Sequence, residues 1–143
     1  MSEKKEIPPW FWLVSIIAIF WNLMGVANYL MLKFMSPEVM AKMSEAEQAL
    51  IENTPAWVTA AFATAVFSGL AGSVLMILRK KIAFETFALS MAAIVVQEIY
   101  VLFMSDTLKV QGVRGVMLPF MIITLGLIFL AFSYFTRKQG ILK

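Results

Sequence analysis

Apolar positions fall in four long blocks separated by short polar stretches. Residues 7–32, 53–78 and 115–136 carry no charge, and residues 83–105 carry only Glu85 near the start and Glu98 near the end. A helix rises about 1.5 Å per residue and a hydrocarbon core is about 30 Å thick, so each block is long enough to cross it. The pattern predicts spans over 9–33, 56–78, 83–105 and 115–136. The third rests on the apolar run 87–96 and on its context, because three helices with a stray apolar hairpin are harder to place. The expected fold is an all-α integral membrane four-helix bundle, one domain over residues 1–143.

Basic residues orient the bundle. Lys4, Lys5, Arg79, Lys80, Lys81, Arg137, Lys138 and Lys143 fall at one membrane surface. Lys33, Lys42, Lys109 and Arg114 fall at the other, among Glu38, Glu45, Glu47, Glu52 and Asp106. The positive-inside rule then predicts both termini in the cytoplasm. Trp10 and Trp12 after Pro8 and Pro9, and Tyr134 and Phe135 before Arg137, suit interfacial aromatic belts. A competing reading makes the first block a signal peptide cleaved after Gly25-Val26-Ala27. Its bulky Trp10, Phe11, Trp12, Phe20 and Trp21, and the apolar run continuing to Leu32, favour an uncleaved helix.

The long first connection opens with Ser36-Pro37-Glu38, a helix start with Pro at the first helical position. Val39, Met43, Ala46 and Leu50 follow at helical spacing, and Ser44 with Glu47 has the spacing of a capping box. These features predict a short amphipathic outer-surface helix over 36–53 between the first two spans, read as one or two turns according to whether the capping box restarts the helix at Ser44. A lid over a cavity is one reading of it. A connector shielding its apolar side is the favoured one, since any such segment at a bilayer surface has this pattern. The third connection, 105–114, reads as a plain polar turn. Pro119 is expected in the first turn of the last span, where a missing N–H costs least.

Composition narrows the chemistry. The chain has 143 residues, 61% hydrophobic and 15% charged, against about 45–50% and about 25% in soluble domains. Its net charge of +3 is a topology signal and too small for a nucleic-acid partner. With no Cys and no His, disulfides, thiol nucleophiles, imidazole acid–base chemistry and metal sites built on those ligands are excluded. No cofactor motif is present, and no cofactor or metal is expected. No nucleophile–base pair accompanies Glu98, so an enzyme is not expected either.

Polar groups inside the spans are the candidate site. Asn22, Asn28 and Tyr29 on the first helix and Gln97, Glu98 and Tyr100 on the third stand at similar depth in parallel helices. A charge near the bilayer centre costs about 2.5–3.5 kcal/mol on insertion scales, and such residues face the bundle interior or a cavity. No basic residue lies inside any span, so Glu98 has amides, hydroxyls, water or a bound cation as partners. The competing reading puts Glu98 near the interface, about 10 Å below Ser105, meeting water, Lys109 or Arg114. Glu85, one turn from Lys80 and Lys81, reads as an interfacial ion pair. On the second helix Ala61, Ala65, Ser68 and Gly72 share a face with Thr64, adjoined by Gly69 and Ser73. These small residues are expected to form a packing seam or an oligomer contact.

Trp21-Asn22 with Gly25, Asn28 and Tyr29, Thr54-Pro55-Ala56-Trp57, residues 68–73 and the following Arg-Lys resemble a group of small four-helix bacterial membrane proteins. Members are commonly labelled sugar transporters, and the shape is similar to DoxX-like proteins. The resemblance covers most of the chain and implies a bacterial inner-membrane protein. Two functions follow as expectations. One is binding or transport of a small polar solute or cation at the cluster around Glu98, leaning on a homo-oligomer for a pathway. The other is a non-catalytic assembly subunit that packs on membrane-protein partners through the small-residue face.

Overall fold

The computed structural model describes residues 6–143, which form an all-α four-helix bundle with no strand among them. Lys4 and Lys5 of the topology argument lie outside the described residues. The long helices are α1 (Pro9–Lys33), α4 (Ala56–Ile77), α5 (Ala83–Ile99) and α7 (Arg114–Lys138), and α5 continues into a π-helical turn, Tyr100–Met104. All four are long and apolar enough to cross a membrane, the third as Ala83–Met104. Short helices α2 (Pro37–Ala41), α3 (Glu45–Glu52) and α6 (Thr107–Gln111) lie in the connections.

Packing runs in series: α1 lies on α4, α4 on α5, and α5 on α7. The helix in the middle is set by its small residues. In its most apolar stretch 44% of α4 is buried, against 17% for α1 and α7. Val58, Ala65, Val66, Gly69, Gly72, Ser73 and Met76 are its buried positions. A Cβ at Gly72 would press on the Phe87 ring of α5 at 3.2 Å, and one at Gly69 would collide with the Asn22 carboxamide of α1. The buried arc is thus centred on Gly69 and Ser73, rotated from the face expected. Ala61 and Ser68 are half-buried and Thr64 is exposed. The reason is that α4 must touch two helices, α1 and α5, on adjacent sides, and the arc between those contacts passes through Gly69.

The end of the bundle where α1 begins and α7 finishes is solid. Phe11, Met76, Phe87, Phe129, Ile141 and Leu142 form one buried cluster there. Phe11 stacks on Phe132 and Trp10 meets the same ring edge-on, so aromatic side chains join α1 to α7 at this end. The tail after α7 turns inward at Gly140, whose φ of +77° favours glycine. It delivers Ile141 and Leu142 into the core, where Leu142 is 0% exposed. Arg79, in a left-handed conformation after α4, donates from Nε to the Ile141 carbonyl at 2.9 Å and accepts the Lys143 amide at 2.7 Å. Glu85 pairs with Arg137 of α7, not with Lys80 or Lys81. The turn of 78–82 is occupied by this docked tail, and α7 ends within reach of the first turn of α5.

The opposite end is built from the connections. Ser36 caps α2 and Ser44 caps α3, the latter as a full capping box with Glu47. The expected polar turn of 105–114 instead contains α6. The Ser105 and Thr107 hydroxyls are 2.7 Å apart, Lys109 pairs with Asp106, and Gly112 turns the chain at φ +58°, ψ −129°. Helix α7 starts at Arg114, so Pro119 is its sixth residue and lies beyond the first turn. Pro119 is buried there, and its ring withdraws the amide that would pair with the Gly115 carbonyl.

Candidate solute-binding cavity

At the end of the bundle away from Phe11 and Leu142 the serial packing leaves space between α1 and α7. A cavity of about 540 Å³ opens there, within the size range of small-ligand sites. The α1 wall carries Asn28, Tyr29, Leu32 and Lys33, and the α7 wall Gly115, Leu118, Pro119 and Ile122. Val58, Thr59 and Phe62 of α4, with Gln97, Glu98 and Tyr100, close the back. Met43, Glu47, Leu50 and Ile51 of the first connection line it as well. The favoured connector reading is therefore incomplete: the apolar stripe holding Met43 and Leu50 roofs a cavity. Tyr100 ties that roof down, donating its hydroxyl to the Asn53 carbonyl at 3.3 Å while its ring meets Trp57 edge-on.

Of the six candidate site residues, Asn28, Tyr29, Gln97, Glu98 and Tyr100 line this cavity and Asn22 does not. Asn22 is buried in the α1–α4 seam. Its Nδ2 donates to the Ala18 carbonyl at 2.8 Å and to the Ser73 hydroxyl at 3.1 Å. Nearby, Ser90 of α5 donates to the Ala65 carbonyl at 2.7 Å. The missing side chain at Gly69 makes room for the Asn22 carboxamide, which is why this residue turns away from the cavity. Gly25, one turn on, faces Val66 of α4. Only beyond that close approach does the α1 wall reach the cavity, at Asn28. The tyrosines have packing duties too: Tyr29 meets Phe62 and Phe67 edge-on.

Glu98 stands out. It is 3% exposed, and its Oε2 is buried without a hydrogen-bond partner among the described residues. A buried carboxylate oxygen without a donor is costly, and nearly all such atoms in folded proteins are satisfied. The rescue by Lys109 is not made, because Lys109 pairs with Asp106 on the exposed rim. The π-helical turn begins two residues after Glu98, and such turns are frequent at functional sites. Thr59, Phe62, Leu118, Ile122 and Glu47 were not singled out from the sequence. Four of them sit in apolar or ordinary helical pattern, and Glu47 already had a role as a cap. No group of three or more acidic, His or Cys side chains gathers among the described residues.

Comparison with known proteins finds no matching family model, no matching curated relative and no matching solved structure.

Proposed function

We propose that this chain is a multi-pass protein of the bacterial inner membrane that binds a small solute in the cavity beside Glu98. The observation that carries the proposal is Glu98 itself, a residue 3% exposed that lines a cavity of about 540 Å³ and whose Oε2 is buried without a hydrogen-bond partner among the described residues. A solute bearing a hydrogen-bond donor or a positive charge supplies the partner that the protein does not. Binding rather than through-passage is favoured, since the far half of the bundle is filled by Phe11, Met76, Phe87, Phe129 and Leu142. The resemblance to small four-helix bacterial membrane proteins belongs to this proposal, as does a cytoplasmic location of both termini. Arg79, Lys80, Lys81, Arg137 and Lys138 gather at the solid end, which supports that orientation and puts the cavity mouth outside.

The assembly-subunit reading has less support, because the glycines of its surface are already used. Gly69 and Gly72 are buried against Asn22, Ser90 and Phe87 of the same chain. A screen by thermal unfolding in lipid nanodiscs tests the binding reading, with pools of polyols, amino acids, amines and inorganic cations. At least one pool should raise the Tm of the wild type and leave Glu98→Gln unmoved. Ile122→Trp, which fills the cavity from α7 without touching Glu98 chemistry, should lose the same response. If no pool stabilises the wild type, the reading fails.

A further inference from the structure

The lining says which solute, and this inference rests on the binding reading above. We infer that the ligand is an organic amine: an ammonium group carried on an apolar body of roughly aromatic-ring size. Three features of the cavity lead there. The unmet need at its back is for a donor, at Glu98, and the basic residues of the spans lie only at their ends. A carboxyl so placed is relieved by a proton or by a cationic ligand, and an ammonium brings both the donor and the charge.

The second feature is the character of the walls. Leu32, Val58, Phe62, Val101, Leu118 and Ile122 face the space, so most of a ligand's surface meets hydrocarbon or aromatic rings. A polyol would find partners at groups such as Asn28, Thr59 and Gln97, but its remaining hydroxyls would face those apolar side chains unpaired. An apolar body loses nothing there and gains by leaving water. Rings at the back, Phe62 and Tyr100 among them, also suit a cation beside them.

The third feature concerns inorganic cations. They need several hard oxygen ligands, and no group of three or more acidic, His or Cys side chains gathers among the described residues. Glu47 also lines the cavity, but its carboxylate closes the capping box by accepting the Ser44 amide at 3.2 Å. Lys33, the basic residue of the lining, is exposed at the rim, where water screens it from a cation held at Glu98. Amides of Asn28 and Gln97 supply carbonyl acceptors for the remaining ammonium protons.

Two routes lead to such a site. In the proposed orientation one passes α3 at the membrane surface, from water, and the other passes between α1 and α7, from lipid. An amine dissolved in water and one carried on a membrane amphiphile present the same group to Glu98.

A matched pair of probes tests the class in phosphatidylcholine nanodiscs: phenethylamine and 2-phenylethanol, which share a body and differ in ammonium against hydroxyl. Glucose and Mg²⁺ serve as the alternatives. Phenethylamine should bind about ten- to hundred-fold more tightly than 2-phenylethanol, read from a titrated Tm shift and isothermal calorimetry. Methylammonium, which lacks the body, should bind more weakly than phenethylamine. Glu98→Gln should erase the preference for the amine while still admitting the alcohol. If that variant does not fold, Ile122→Trp must abolish phenethylamine binding. Competition by dodecylamine carried in the bilayer supports arrival through the α1–α7 gap, and its failure alongside phenethylamine binding supports arrival from water. Equal affinity for the pair, or a preference that survives Glu98→Gln, overturns the amine. Glu98-dependent stabilisation by glucose or Mg²⁺ alone overturns it while leaving the binding cavity standing. No response to any probe removes both.

Discussion

At Gly69 a missing side chain does two jobs, one for each neighbouring helix. It admits the Asn22 carboxamide of α1 and brings α4 within reach of Ser90 on α5. Gly69→Ala should destabilise the protein by about 1–3 kcal/mol, since the added methyl collides with Asn22 in a seam that has no slack. Asn22→Ala should cost about 1 kcal/mol through its lost bond to Ser73, whose own hydroxyl stays satisfied by the Gly69 carbonyl at 2.8 Å. The two changes should not add. With the carboxamide gone, the methyl at 69 has somewhere to go, so the double variant should be more stable than the sum of the singles implies. Thermal or denaturant unfolding of all four proteins in one detergent measures this, and strict additivity would place Asn22 elsewhere.

Among the elements, the segment after α7 departs furthest from its appearance in sequence. Ile141-Leu142 is too short to register as a structural unit, yet Leu142 is fully buried in the core cluster. Leu142→Ala should cost about 2–5 kcal/mol, the range for emptying a buried leucine site. The same truncation at Leu127, a half-exposed position on α7, should cost far less. A Leu142 variant as stable as wild type would mean that the tail is not docked in solution. Two helix ends cooperate in this seat. Each is closed by a left-handed residue, Arg79 after α4 and Gly140 after α7, and each turns the chain back toward the other. The Arg137–Glu85 pair beside it is exposed on both partners and adds little, as surface pairs do.

The bundle as a whole is asymmetric along its axis, solid at one end and hollow at the other. That follows from serial packing: α1 and α7 are joined by aromatic rings at the solid end and stand apart across the cavity at the other. Reporter fusions check the orientation given to this asymmetry. A reporter after Lys143 should score as cytoplasmic, and one inserted between α2 and α3 as external. The reverse pattern would put the cavity mouth inside the cell and remove the supply of external solute.

Four helices of membrane-crossing length were legible in the sequence, three because an unbroken run without charge states its own solvent, and the one carrying Glu85 and Glu98 by its apolar run 87–96 and its context. So were the capped turns of α2 and α3, because Ser36 acts with Pro37 and Ser44 with Glu47, each pair within four residues. The rotation of each helix was not. In water, apolar residues mark the buried side, but in lipid both the bundle and its surroundings are apolar, so the pattern around each span carries little contrast. Helical spacing put Asn22 and Tyr29 on one side of α1. Only the packing of Gly25 and Gly69 decided that Asn22 enters the seam while Asn28 and Tyr29 reach the cavity. The choice of Arg137 for Glu85, the docking of Leu142, and the space left beside Glu98 are likewise contacts between residues far apart in the chain. They are decided by how helix surfaces fit, a property of the assembled bundle and of no segment within it.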